Sequence, residues 1–195
     1  TGMSGTRESQ AIHEFSRSTG REDVLKALEL FDAPTQNFVY ADREGRTLYW
    51  ATGKIPIRRV DGDVVRGDRV FDGSAGEAEW EGFEPFGQSS WEGLVPFEDK
   101  PGVVQPSYVG TANQRLVDDP VYPLGQEYAS GFRGTRVYEA LDAAVESGTP
   151  IDREFMQALQ RDTVDVRARQ LVPAVLEARE TTDTPEAADP YPDAP

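Results

Sequence analysis

Near the start of the chain, apolar residues recur at helical spacing. Thr6 can cap a helix over residues 7–16, with Ile12 and Phe15 on one face. Thr19-Gly20-Arg21-Glu22 has capping-box spacing. Val24, Leu25, Leu28 and Phe31 follow at helical intervals until Ala33-Pro34 ends the run. The period then switches to two. Asn37-Phe-Val-Tyr40 and Thr47-Leu-Tyr-Trp50 read as the strands of a hairpin, with Asp42-Arg43-Glu44-Gly45 as its turn. Ile55-Pro56-Ile57 runs extended, because the ring of a proline disfavours a helical residue before it. Residues 60–106 are rich in Gly, Asp and Pro and predict irregular connections with short strands. Within them Trp80-Glu-Gly-Phe-Glu-Pro-Phe86 is echoed by Trp91-Glu-Gly-Leu-Val-Pro-Phe97, two copies that each predict an aromatic pair laid over the core.

The second half is helical in pattern. Residues 108–112 predict a strand ending at Asn113, and a loop with Pro120 and Pro123 follows. A helix is predicted over residues 131–146, with Val137, Leu141, Ala144 and Val145 inward and Ser147-Gly148 as its stop. Thr149-Pro150-Ile151-Asp152 restarts it, with a capping hydroxyl, Pro at the first helical position and a carboxylate at the third. Helical pattern continues to residue 180, with breaks expected near Thr163 and at Pro173. The sum is an α+β chain. Residues 1–180 read as the folded segment, and residues 181–195, with four prolines, four acids and no base, are expected to form a disordered tail.

Charge sharpens this picture. Against 20 Lys and Arg stand 35 Asp and Glu, a formal net charge of −15. Nucleic acids and anionic membranes call for basic surfaces, so neither is an expected partner. No apolar run is long enough to span a bilayer. Only three of the basic residues are lysines: Lys26, Lys54 and Lys100. Dense carboxylates with so few lysines favour an origin in high salt, where self-repulsion is screened. The absence of cysteine excludes disulfides, thiolate catalysis and Cys-based metal sites.

Several residues could carry chemistry. An N-terminal Thr such as Thr1 can be a nucleophile with its own α-amine as base, but Thr1-Gly2 leads into a loop and helix rather than a strand, and a chain boundary is the simpler reading. His13, the sole histidine, sits on a short helix without a nucleophile elbow nearby and reads as a surface or half-buried helix residue. Asp61, Asp63, Asp68 and Asp72 could attract calcium, yet their spacing is not that of an EF-hand loop. Glu81 and Glu92 could pair as glycosidase acids, with nothing to fix their separation. Asn113 and Arg136 are further candidates, each with a plain alternative on the residues alone: a turn residue for the Asn and a solvated side chain for the Arg. An Asn at a strand end can aim its amide N–H at an oxyanion, and an Arg in the first turns of a helix can hold that Asn or a substrate carboxylate with its fork of donors.

The order of segments resembles the penicillin amidase family. The resemblance rests on Gln36-Asn-Phe-Val-Tyr-Ala-Asp-Arg-Glu-Gly45, Leu48-Tyr49, Gly53 and Ile55-Pro56-Ile57-Arg58, and then on the stretch from Trp91 to Phe97 with Pro101 and Pro106. Tyr108-Val-Gly-Thr-Ala-Asn113, Gly131-Phe-Arg-Gly-Thr-Arg136-Val137 and Gln160-Arg-Asp162 through Leu171-Val-Pro173 continue it in sequence order. The resemblance implies an N-terminal-nucleophile hydrolase with a four-layer αββα sandwich, of which this chain is part of the large (beta) subunit. It implies cleavage of a linear amide, such as a penicillin side chain or an N-acyl amide, by a Ser at the head of that subunit. The family's oxyanion Asn falls on Asn113 and its positioning Arg on Arg136.

The family's Ser lies far upstream of the hairpin, whereas 36 residues precede Asn37 here. The resemblance therefore implies partners for this chain: the alpha subunit and the rest of the beta subunit, besides the small-molecule amide. A fragment would expose sheet edges, and either self-association through one or a compact helical subdomain that avoids the problem is expected. No cofactor is implied for the chemistry. A structural calcium in the whole enzyme is implied, with one ligand position near Gln126 or Glu127. The alternative is a non-catalytic binding or structural domain of the same ancestry.

Overall fold

The computed structural model describes residues 5–80, 92–125 and 127–181. The chain divides into two compact units, Thr1–Ala129 and Ser130–Pro195.

The first unit packs two helices on a sheet. Helix α1 is Glu8–Arg17 and α2 is Arg21–Leu28. The cap of α1 is Arg7, which makes no side-chain capping bond, and not Thr6 as expected. Its entry is fixed from outside: the Arg7 N–H donates to Asp32 Oδ2 at 2.9 Å, and Glu8 accepts the N–H of Ala33 at 2.6 Å. Ala11, fully buried, and not Ile12, 60% exposed, joins Phe15 on the inner face. The expected capping box also shifts. Gly20 is the cap of α2, and Thr19 donates its N–H and Oγ1–H to Asp23 Oδ2, so the carboxylate that closes the turn belongs to Asp23 instead of Glu22. The helix ends at Leu28, five residues before the expected stop at Ala33, with single turns closed by Leu30 and Phe31.

Strands β1 (Gln36–Ala41) and β2 (Thr47–Thr52) form the hairpin the sequence predicts, in a register that sets Phe38 opposite Trp50 and Tyr40 opposite Leu48. Asp42 builds the turn: its Oδ1 accepts from the N–H of Glu44 and of Arg46, and its Oδ2 from Arg46 Nε. Phe38, Tyr40, Leu48 and Trp50 face the helices and close over Val24 and Leu28. Full burial of each such apolar side chain is worth about 1.5–3 kcal/mol.

Ile55-Pro56-Ile57 is extended as expected and pairs with residues 93–95 through Ile57 N–H to Gly93 O and Val95 N–H to Ile55 O. Strands β3 (Arg58–Val60) and β4 (Asp63–Val65) make a second hairpin around Asp61 (φ 52°) and Gly62 (φ 89°). A third partner of the main sheet, β5 (Gly102–Val104), pairs antiparallel with β2 and gives the order β1-β2-β5. Gly102 stands opposite Trp50, whose indole would lie only 2.2 Å from any Cβ there, so the position demands glycine. Phe97 of the second aromatic motif stacks on Trp50 at 5.2 Å, while Trp91 of that motif lies outside the described residues. Trp80 of the first lies under the Arg58 guanidinium, at 5.5 Å. Residues 81–91, which hold the rest of that motif, are outside the described residues.

The strand expected over residues 108–112 is a loop. Gln105 donates its N–H to Thr47 O at the first residue of β2, then turns away at φ 60°, and Pro106 has no N–H to extend the ladder.

In the second unit, α3 is Phe132–Ser147, α4 is Arg153–Gln160 and α5 is Val166–Thr181. Gly134, Leu141 and Ala144 form the buried stripe of α3, with Val137 half-buried, while Val145, expected inward, is half exposed because it falls one position off that stripe. The helix stops at Gly148 as expected, with Thr149 N–H bonded to Ala144 O. The restart comes three residues later than its sequence signal suggests: Asp152 is the cap of α4, accepting the Phe155 N–H at 2.9 Å. The break near Thr163 is present, but α5 runs through Pro173 without ending. The tail beyond residue 181 is outside the described residues. Mixed helix and antiparallel sheet bear out the α+β class. No described helix is long and apolar enough to cross a membrane.

Candidate active site

Asn113 belongs to the first unit. It adopts a left-handed conformation, φ 61°, which asparagine tolerates better than other side chains with a Cβ. Its backbone carbonyl accepts the Ala129 N–H at 2.8 Å, and the preceding Ala112 is buried with its N–H bonded to Gln114 Oε1 at 2.6 Å. The loop between closes on itself through Arg115, whose guanidinium lies 5.7 Å from the Tyr128 ring. Asn113 is thus pinned by its main chain at an exposed position.

Arg136 belongs to the second unit, on the second turn of α3. Its guanidinium is gripped side-on by Asp162: Nε donates to Oδ1 at 3.0 Å and Nη2 to Oδ2 at 2.7 Å. Nη1 donates to Glu139 Oε2 at 3.4 Å, and Glu139 Oε1 in turn accepts from Arg169 of α5. Asp162 is itself held, because its Oδ1 also accepts the Val164 N–H at 3.0 Å. The bonds from Arg136, then that from Val164, hold the Asp162 carboxyl down to a pKa of about 2. Arg169, and secondarily Arg136, lowers that of Glu139. Arg136 lines a cleft of about 510 Å³ together with Phe132, Arg133, Leu159 and Val164. Asp162 was not among the candidates read from the sequence. It lies 26 positions from Arg136, and the only signal was that both fall in family-like segments.

A buried charged cluster in the first unit was also not foreseen. The Asp32 carboxylate, fully buried, accepts from the backbone and guanidinium of Arg7 and from Lys54 Nζ at 3.3 Å. Lys100 is buried nearby and lines a cleft of about 240 Å³ with Asn37, Thr52, Glu127 and Tyr128. Burial first, then the positive charge of Lys54, brings its ammonium pKa down to about 8.

The remaining candidates take structural places. His13 is exposed on α1. Asp61 is a hairpin-turn residue, Asp68 pairs with Arg66, and Asp72 caps a short turn by accepting from the N–H groups of Ser74 and Ala75. Glu92 is exposed, whereas Thr1, Glu81 and Gln126 lie outside the described residues. Glu127 is exposed, and no group of three or more His, Asp or Glu side chains that could hold a metal ion occurs among the described residues.

The sequence model of the family described as penicillin amidase matches residues 1–191. Among solved structures, thermostable penicillin G acylase from Alcaligenes faecalis, in its orthorhombic form, superposes with a TM-score of 0.59 over 95% of this chain at 18% identity. The match covers 30% of that protein's chain, so this chain spans under a third of its length. At this identity the likeness speaks to fold alone. No curated protein matches.

Proposed function

The chain belongs to the penicillin amidase family, and from that premise we propose that it is part of an amidohydrolase that cleaves a linear amide by acyl transfer. A Ser supplied from outside this chain, at the head of the large subunit, attacks the amide carbonyl, with its own α-amine taking the proton. The amine leaves, an acyl ester remains on the Ser, and water then releases the acid. The fold completes as an αββα sandwich with the alpha subunit and the rest of the beta subunit. The chemistry uses no cofactor, and no step passes through a metal.

Asn113 donates its side-chain N–H to the oxyanion of each tetrahedral intermediate, a role worth about 3–4 kcal/mol of transition-state stabilisation. Arg136 orients the site with a fixed fork of donors. The observation that carries the reading is Asn113 itself. It is exposed, held left-handed at φ 61°, and anchored through its carbonyl.

The test is hydrolysis of a chromogenic phenylacetyl anilide by the complete gene product and by the 195-residue chain. Turnover by the complete protein and none by the chain alone is expected. Asn113→Asp suits the left-handed backbone and replaces the donor with an anion, and its kcat is expected to fall about 10²- to 10³-fold. Turnover by the chain alone would move the nucleophile to Thr1 and overturn the reading. Silence of the complete protein across penicillin-type and N-acyl amides would favour a non-catalytic domain of the same ancestry.

A further inference from the structure

We propose that Asp162 is a positioning residue for Arg136 in this reaction, an inference that rests on the hydrolase reading above. The geometry carries it. A guanidinium has five N–H donors on three nitrogens, with one on Nε and two on each Nη. Asp162 takes the side-on edge, Nε with Nη2, and Glu139 takes one N–H of Nη1. One N–H therefore remains on each terminal nitrogen for a further acceptor. Pairing end-on, through Nη1 and Nη2 together, would stabilise the helices as well but would occupy the outer fork. The observed arrangement immobilises the group and leaves one N–H on each terminal nitrogen.

The clamp is itself rigid. Asp162 lies two residues past the end of α4, with its backbone N–H bonded to Leu159 O, and its Oδ1 closes a turn on the Val164 N–H. On the other side Glu139 is tied to Arg169 of α5. Two carboxylates from different elements thus fix the plane of Arg136 at the wall of the 510 Å³ cleft. Long side chains lose much rotamer freedom when they act, and a group fixed in advance avoids that loss at the moment of reaction.

The experiment uses the complete enzyme with the phenylacetyl anilide and compares Asp162→Ala and Asp162→Asn in two backgrounds, native and Arg136→Ala. In the native background Asp162→Ala is expected to lower kcat about 10- to 100-fold with KM moved far less, as for a misplaced catalytic group. Asp162→Asn keeps the Val164 turn and one acceptor for Arg136, and restores part of the rate. In the Arg136→Ala background Asp162→Ala should cost nothing more, because Asp162 acts only through Arg136. A purely structural role would lower the rate equally in both backgrounds, and that result overturns the proposal. So does a native kcat for Asp162→Ala. As a readout that needs no turnover, the Arg136 Nε–H should exchange slowly with solvent in the native protein and quickly in Asp162→Ala. Fast exchange in the native protein removes the clamp. Absence of turnover by the native protein overturns the hydrolase reading and this inference with it, whereas turnover unaffected by Asp162→Ala overturns this inference alone.

Discussion

Asp162 receives both Nε and Nη2 of Arg136, at 3.0 and 2.7 Å, and thereby joins the turn after α4 to the second turn of α3. This pairing has an acid signature. The folded carboxyl titrates at about 2 against an ordinary 3.8, chiefly because of the Arg136 bonds. A depressed carboxylate stabilises the fold above its ordinary value, and that contribution is lost as pH falls through the folded value. The second unit should therefore weaken between about pH 4 and pH 2. A carboxyl ¹³C titration of Asp162 should show a midpoint near 2 that returns towards 3.8 in Arg136→Met. A native midpoint already at 3.8 would deny the pair.

Asp32 predicts a larger stability effect, because both it and Lys54 are buried. Asp32→Ala leaves the Lys54 ammonium in the core without its carboxylate, an error that costs about 3–5 kcal/mol. Asp32→Ala/Lys54→Met should cost less than the sum of the single changes. Urea unfolding of the four proteins checks this. A loss under about 1 kcal/mol for Asp32→Ala would mean that the pair is solvated.

Lys100 acts in the opposite sense. Its folded pKa, about 8, lies below the ordinary 10.5, so the folded state resists the proton. The penalty is present in full below pH 8 and fades as pH rises towards 10.5, which means stability increases across that window. Lys100→Met should gain stability near pH 7, by on the order of 3 kcal/mol at most, and lose that advantage near pH 10. Denaturation midpoints at the two pH values decide it, and an equal difference at both would exclude the titration.

What could be read beforehand followed local rules, and what could not depended on distant partners. The β1–β2 hairpin was legible because alternation and an Asp-x-x-Gly turn are short-range signals. Helix starts were displaced by one to three residues, since Asp23 and Asp152 compete with nearby hydroxyls that look equally fit to cap. The loop at residues 108–112 looked like a strand because composition does not show whether a partner strand is there to pair. Pro173 looked like a stop, although a helix can absorb one missing N–H. Asn113 and Arg136 were named through family resemblance, but Asp162, Asp32 and Lys100 owe their chemistry to burial or to contacts made far along the chain.

The order β1-β2-β5 leaves β1 and β5 as edges among the described residues, with Val39 on one and Val103 and Val104 on the other all exposed. Unpaired apolar edges template association with another chain. The 195-residue chain should associate with rising concentration in sedimentation velocity, and Val103→Lys should reduce this by placing a charge on the β5 edge. A monodisperse monomer at high concentration would show that these edges are protected.

Salt separates the two kinds of electrostatics in this molecule. With 35 acids against 20 bases, most carboxylates repel one another across the surface. The screening length is about 10 Å at 0.1 M salt and about 3 Å at 1 M, so this diffuse repulsion is removed while contacts such as Arg136–Asp162 at 2.7 Å are weakened far less. If the acidity is an adaptation to high salt, the thermal midpoint should rise steadily from about 0.1 to 2 M KCl. Arg136→Met should leave that slope in place, because the slope belongs to the net charge and not to the pair. A midpoint that is highest in low salt would mean that specific ion pairs outweigh the repulsion, and the high-salt origin would fall.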